Sequence, residues 1–190
     1  MSFKVFRIAN LSELDTLPVA VIKDYPLEKR DYKPYAQCNI CLDGHSLFVR
    51  MWAFELSPPQ GSELRGLFYL FAQNRELALR LSLRPDGSCA FYLYEEGGQE
   101  RLVNPPPGFA LHPHNGEDLQ GVYWGGLAAL PLDWLESLGG PLSLESEFYG
   151  NFYKLCPGPE MAHSGSFFPA DFAVYPYAGD SMGVFEVASG

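Results

Sequence analysis

The sequence is poor in positive charge and in long apolar runs. It has 13 Lys and Arg against 23 Asp and Glu, which gives a formal net charge of −10. Such an acidic chain repels phosphate backbones and anionic lipids, so we expect neither nucleic acid nor a membrane as partner. No apolar run reaches the ~20 residues of a membrane span. The N-terminal MSFKVFRIAN has no apolar signal region. These absences predict a cytoplasmic protein, unless an export signal has been trimmed.

Cysteine and histidine are too scarce to predict a metal centre. The four cysteines are Cys38, Cys41, Cys89 and Cys156. The first two form a C-x-x-C within an apparent strand, where positions i and i+3 point to opposite faces. A zinc site would also need a second close pair. We therefore expect reduced, buried thiols. The H-x-H at 112–114 has no third ligand, which favours a solvated loop.

The sequence also lacks a recognisable catalytic motif. There is no G-x-S-x-G. His163 precedes Ser164-Gly165-Ser166, but adjacency in sequence does not create a nucleophile–base geometry. A pair of carboxylates could act on a glycosidic bond, but nothing in the sequence pairs the candidates Glu55, Glu145 and Glu147. We predict that the protein is not an enzyme, with an unrecognised hydrolase as the weakest alternative.

Aromatic residues, prolines and glycines are abundant, and they favour β-structure. The chain is 47% hydrophobic and 15% aromatic, with 16 Pro and 19 Gly scattered along it. Aromatic residues suit strands, and Pro and Gly suit the turns between them. We predict a single domain, residues 1–190, with an all-β, antiparallel β-sandwich fold of about ten strands. Proline at the start of the run 131–138 and glycine just past its end predict one short helix there.

Alternating patterns place the strands. Leucines at 77, 79, 81 and 83 predict one buried face of a hairpin that turns at Pro85–Ser88. The other face carries Arg80 and Arg84, opposite Tyr92 and Tyr94. Residues 46–55 are apolar on both faces and predict a central strand, whereas 2–9 predict an edge strand and 10–34 an irregular segment. Further strands are predicted at 35–43, 66–72, 121–130, 144–154, 172–176 and 182–188.

Several stretches, in order, resemble one known family. They are SLFVRMWAFE, VYWGGLAALPLDWLESL, GNFYKLC, His163 and DFAVYP followed by GVFEV. Together they span roughly residues 36–188 and resemble the family 9 carbohydrate-binding modules and their DOMON-like relatives. The resemblance implies a non-catalytic sandwich of jelly-roll type that binds a sugar in an aromatic-lined cleft, with calcium as a possible bound ion.

The resemblance has gaps on the strands where relatives carry polar groups. GLFYLFA stands where relatives have an acidic strand, and ELALRLSLRPDG keeps only the turn glycine, Gly87, of an Asn- and Glu-bearing strand. SFFP, at 166–169, lacks the tryptophan of the family pattern. The alternative hypothesis is therefore a structural or protein-interaction sandwich that has lost the sugar site. It predicts buried tryptophans and self-association through an apolar patch or a sheet edge.

Sugars bind aromatic platforms and planar polar groups, and these criteria select the candidate ligand residues. Trp52 and Trp124 could frame a cleft or pack in the core. The two arginines of the hairpin could form a polar floor or a solvated face, and His163 could instead order a loop. In the NFYK strand, alternation predicts that Asn151 and Tyr153 face away from Phe152 and Lys154. The candidates are Trp52, Arg80, Arg84, Trp124, Asn151, Tyr153, Lys154 and His163.

Overall fold

A computed structural model describes residues 2–31, 33–95, 99–158, 162–172 and 181–188 of the chain. Its strands, in chain order, are β1 (Ser2–Arg7), β2 (Ala20–Ile22), β3 (Tyr35–Leu42), β4 (Ser46–Phe54), β5 (Glu63–Tyr69), β6 (Leu77–Leu83), β7 (Cys89–Glu95), β8 (Arg101–Val103), β9 (His112–Pro113), β10 (Gly116–Asp118), β11 (Gly121–Pro131), β12 (Glu147–Cys156), β13 (His163–Ser166) and β14 (Gly183–Ala188). Helix α1 spans Leu132–Gly139, and a short 3₁₀ helix spans Leu11–Thr16.

The described strands belong to one sheet that curls on itself. Its main path runs β10-β11-β4-β3-β1-β14-β12-β5-β6-β7-β8, with β13 on β12, β2 on β3 and β9 on β11. Side chains from β3, β4 and β11 share one apolar core with side chains from β5, β6, β12 and β14. The two halves of the sheet therefore face each other as the layers of a β-sandwich. This confirms the predicted all-β sandwich, with α1 where the single helix was predicted.

Alternation along the strands sets the inner face. Ala36, Cys38, Ile40 and Leu42 of β3 point into the shared core, and so do the four leucines of β6. Cys41, three residues after Cys38, instead joins a separate cluster with Ile8, Leu14 and Phe48. The prediction that the two C-x-x-C sulfurs lie on opposite faces is thus confirmed. In the described residues, no group of three or more His, Cys, Asp or Glu is arranged to hold a metal ion.

Strand β1 corrects one prediction. Residues 2–9 were expected at a sheet edge, but β1 lies inside the sheet, parallel to both β3 and β14. All other pairings between the described strands are antiparallel, so the sheet is mixed rather than purely antiparallel as predicted. Val5 of β1 is fully buried in the core. Local alternation cannot identify such a strand, because its neighbours come from distant parts of the sequence.

The segment from 10 to 34 is more ordered than the irregular loop predicted. The 3₁₀ helix begins with a capping box, in which the Asn10 side chain accepts from Ser12 N and Glu13 accepts from Asn10 N. Strand β2 then pairs with β3. Similarly, the H-x-H region contributes β9, which pairs with β11. No helix in the described residues is both long and apolar enough to cross a bilayer.

A second apolar cluster covers the outer face of the half-sheet formed by β12, β5, β6 and β7. Its buried members are Leu67, Tyr69, Ala78, Tyr94, Tyr153 and Ala170. Phe172 and Met182 pack against them from the chain that follows β13. Three described residues, Ala170, Phe172 and Met182, therefore cover part of this face and are called the covering segment below. The strand predicted at 172–176 falls mostly outside the described residues.

Candidate functional site

The NFYK motif lies in β12, and its lysine belongs to a buried polar group. Lys154 Nζ is 3.2 Å from Glu55 Oε2 and 2.9 Å from His163 Nε2. Trp124 Nε1 donates to the same Glu55 oxygen at 2.9 Å. All four side chains are buried. Burial lowers the pKa of the Lys154 ammonium, and the Glu55 carboxylate opposes that shift.

The polar atoms of these four side chains bond to one another rather than to solvent. Three predicted ligand residues, Trp124, Lys154 and His163, are brought together, but in the core between the two layers. Each has an internal partner, as a buried ionisable or polar group requires. Alternation had correctly assigned Lys154 to the side of Phe152, because Phe152 also lies in the shared core.

Asn151 has an equally closed environment on the opposite side of β12. Its Nδ2 donates to the carbonyls of Phe168 and Ser181, both at 2.9 Å. Its Oδ1 accepts from Phe152 N at 2.8 Å and Phe168 N at 3.0 Å. The side chain is 0% exposed and uses its full hydrogen-bonding capacity. Tyr153, on the same face, is also fully buried in the outer cluster.

The motif as a whole thus holds the chain that follows it. Lys154 contacts His163, the Phe152 carbonyl accepts from Phe167 N at 2.9 Å, and Asn151 binds Phe168 and Ser181. The pieces of the motif and their order were evident from the sequence. The hydrogen bonds were not, because they depend on how the chain returns to β12.

The arginines of the β6–β7 hairpin take separate positions. Arg80 forms an ion pair with Glu100, and its guanidinium lies 3.9 Å from the centre of the Tyr92 ring. Tyr92 is its cross-strand neighbour, as predicted. Arg84 is exposed beside the hairpin turn. The outer face therefore carries a paired arginine rather than an open polar floor.

Trp52 lies on the outer face of the other half-sheet. It is buried between Arg50, whose guanidinium is 5.0 Å from the ring, and His114, which meets it edge-on at 5.3 Å. Burial lowers the pKa of His114, and Arg50 lowers it further. Arg50, unexplained by its apolar strand, also binds Asn39 and Asp15. His114 is therefore packed against Trp52 instead of lying in the solvated loop that was predicted.

The predicted ligand residues consequently do not all line one cleft. Trp124 lies inside the sandwich, Trp52 lies on one outer face, and Asn151 and Tyr153 lie on the other, beneath the covering segment. His163 directs Nε2 to Lys154. Among the described residues, the buried Ser166 Oγ has no hydrogen-bond partner, so it makes no hydrogen bond to a base there.

A different pocket opens on the outer face of β12. It has a volume of about 300 Å³, near the lower end of the range for small-molecule sites. Tyr149 and Tyr69, neighbours across β12 and β5, form its aromatic part. Tyr149 is 46% exposed, whereas Tyr69 is buried. The other lining residues are Phe71, Ala72, Arg75, Ser143, Ser146, Glu147, Phe148 and Met182.

Backbone hydrogen bonds hold the rim of this pocket. Ala72 N donates to Pro141 O at 2.8 Å, and Ser143 N donates to Leu70 O at 2.7 Å. These bonds join the end of β5 to the segment that leads into β12. Arg75 makes no ion pair within the part of the chain described here. The pocket thus combines an exposed ring with a guanidinium donor and the acceptor carboxylate of Glu147.

Sequence analysis missed this pocket although one signal was present. Residues 147, 149, 151 and 153 alternate onto one face of the predicted strand 144–154. From its residue type, Glu147 is a candidate only as a catalytic acid, and no motif selects Tyr149 or Tyr69. The loop residue Arg75 has no pattern that could assign it, because its position depends on the contact between two distant segments.

No family model matches the sequence, and no curated protein matches it. Solved structures do match. A proposed carbohydrate-binding protein from Bacteroides uniformis superposes with a TM-score of 0.76 at 13% identity, covering 98% of this chain and 99% of that one. A family 9 carbohydrate-binding module from Caldicellulosiruptor kristjanssonii, in complex with cellotriose, has a TM-score of 0.54 at 8% identity, covering 100% and 95%.

The glucose complex of a family 9 module from the same organism has a TM-score of 0.53 at 10% identity, covering 100% of this chain and 97% of that one. At these identities the similarity concerns the fold. It agrees with the ordered sequence resemblance that ends in the NFYK strand and GVFEV. The chain has the β-sandwich fold of the family 9 carbohydrate-binding modules, as a divergent example of it.

Proposed function

We propose that this protein is a non-catalytic carbohydrate-binding module whose ligand occupies the Tyr69–Tyr149 pocket. The observation that carries the proposal is the composition of that pocket. A partly exposed tyrosine offers a face to the C–H groups of a sugar ring. Arg75 and Glu147 offer a planar donor and a planar acceptor to its hydroxyls.

The structural neighbours support the same ligand class. The proteins with the matching fold are a proposed carbohydrate-binding protein and modules solved with cellotriose and glucose. Fold alone does not assign function, and the proposal therefore rests on the chemistry of the pocket. Glu147 is the one carboxylate among the described lining residues, whereas glycosidic hydrolysis needs two acting together. This supports a binding role without catalysis.

Calorimetric titration with glucose, cellotriose and a panel of other monosaccharides tests the proposal. We expect binding by the wild type and a loss of about tenfold or more for Tyr149→Ala, equivalent to ~1.4 kcal/mol. Tyr35→Ala is the matched control, because Tyr35 is 37% exposed on the other half-sheet, away from the pocket. No binding across the panel, or equal loss in both variants, would refute the proposed site.

An interaction module is the second candidate, and two observations favour it. Trp52 and Trp124 are buried, as that hypothesis predicts. In addition, β8 ends the described path of the sheet and carries Leu102, which is 67% exposed. Light scattering over a range of concentrations tests it. Self-association that Leu102→Glu abolishes would support pairing through β8, and a monomer at every concentration would oppose it.

A further inference from the structure

We infer that Asn151, buried and out of reach of any ligand, is a positioning residue that fixes one wall of the Tyr69–Tyr149 pocket. The inference rests on the proposed sugar binding at that pocket. It gives Asn151 a role that differs from the direct ligand contact expected from the sequence. Four hydrogen bonds, the covering segment and the register of β12 against β14 carry it.

Asn151 joins two separate points of the chain to β12. One amide nitrogen holds the carbonyls of Phe168 and Ser181 together, each at 2.9 Å. The amide oxygen holds Phe168 N at 3.0 Å. Phe168 and Ser181 therefore cannot move independently of each other or of β12 while this side chain keeps its bonds. Both residues are buried, so water does not replace those bonds readily.

The joined points lead directly into the pocket. Ser181 is followed by Met182, which lines the pocket wall. Gly183, the next residue, pairs with Gly150 on β12. The Phe168 ring lies so close to Gly183 that an added Cβ would be 2.4 Å from it. The Asn151 amide thus fixes the course of the backbone at Met182.

The other pocket wall starts from the same strand. Tyr149 lies two residues before Asn151 and on the same face of β12. The same short stretch of the β12 backbone therefore sets the positions of both Tyr149 and Met182. If the Asn151 bonds are lost, the wall that bears Met182 can shift relative to the Tyr149 ring. Such a shift lowers affinity although residue 151 never touches the sugar.

Asn151→Asp tests this role with minimal change in shape. The carboxylate keeps an acceptor for Phe152 N and Phe168 N but faces the carbonyls of Phe168 and Ser181 without a donor. We expect cellotriose affinity to fall about tenfold or more at pH 7.5. A buried carboxylate takes up a proton readily, and the protonated acid donates one hydrogen bond. The variant should therefore regain part of its affinity as pH falls toward 5, whereas the wild type should not.

Asn39→Asp is the matched control. Asn39 is also a fully buried strand asparagine, but it binds Pro18 O and Arg50 in the other half-sheet. Its carboxylate would face the Arg50 guanidinium, and the variant should neither lose cellotriose affinity nor acquire the pH profile. Both titrations are made well below the midpoint of thermal unfolding, so that every variant is folded.

Hydrogen exchange on the wild type supplies a measurement that needs no variant. Saturating cellotriose should slow exchange at Phe168 N, which donates to Asn151, about threefold or more. Unchanged exchange at this amide, or equal cellotriose affinity in Asn151→Asp and wild type, overturns the positioning role. Failure of the wild type to bind any tested sugar instead overturns the proposed function, so the two failures are distinguishable.

Discussion

At the scale of single residues, one buried ion pair connects the two layers. Lys154 comes from β12, and Glu55 follows the end of β4 in the opposite half of the sheet. Trp124 and His163 complete the hydrogen bonding around the pair. A buried pair of this kind contributes little net stability when intact, because desolvation offsets the attraction. Breaking it is costly, because one charge is then left buried without its partner.

Replacing the lysine exposes that cost. Lys154→Met should lower the free energy of unfolding by about 3 kcal/mol, because Glu55 loses its counter-charge. The double variant Lys154→Met/Glu55→Gln should be destabilised by less than the sum of the single variants. Urea denaturation measures the free energy of unfolding of the wild type, the two single variants and the double variant. Lys4→Met, at an exposed position on β1, serves as control. Additive losses in the double variant would mean that the pair is not coupled.

At the scale of elements, β1 joins the two halves of the sheet. It lies between β3 and β14 on the described path of the sheet. The connection between the two halves along that path is therefore a strand of six residues near the N-terminus. Val5 packs in the shared core, whereas Lys4 on the other face is exposed. The strand is therefore a structural bridge, although its sequence resembles an edge.

A charge on the inner face of β1 should separate the halves. Val5→Asp should cost more than about 3 kcal/mol, because it buries a carboxylate with no counter-charge. Lys4→Asp should have a much smaller effect. Chemical denaturation measures both, and near-ultraviolet circular dichroism reports the loss of core packing. Similar unfolding midpoints for the two variants would contradict the bridging role.

Elements with local patterns were predictable, and those defined by distant contacts were not. The β6–β7 hairpin follows from alternating leucines and a Pro-Asp-Gly turn, and α1 follows from its flanking proline and glycine. Strand β1 and the Arg75 side of the pocket depend on which segments meet after folding. For the same reason, the NFYK motif was identified as a family signal, but its hydrogen bonds to His163, Phe167, Phe168 and Ser181 could not be foreseen.

At the scale of the whole molecule, one buried and one partly buried thiol make stability depend on alkaline pH. Burial raises the pKa of Cys41 to about 12, although Arg50 opposes the shift, and burial also raises the pKa of Cys89 to about 12. The ordinary value for both thiols is 9.0. Between these values the folded protein holds more protons than the unfolded chain. The thiols' contribution to stability is therefore complete below pH 9 and decreases as pH rises toward 12.

Stability should accordingly decline above pH 9, and removing the thiols should weaken that decline. Urea denaturation at pH 7.5, 9 and 10.5 measures it in the wild type and in Cys41→Ala/Cys89→Ala. The double variant should be less stable at pH 7.5, because it loses buried volume, but its free energy of unfolding should decrease less between pH 9 and 10.5. Lysine and tyrosine titrations are common to both proteins. Parallel curves would exclude the thiols as a cause.

The positions of the three tryptophans have an optical consequence. Trp52 lies beside His114, Trp124 beside the Lys154–Glu55 pair, and Trp134 against Phe91. Their emission would report separately on an outer face, the interior and helix α1. None of them lines the Tyr69–Tyr149 pocket. A sugar could therefore bind there without changing tryptophan fluorescence, and a flat titration curve would say nothing about whether the pocket is occupied.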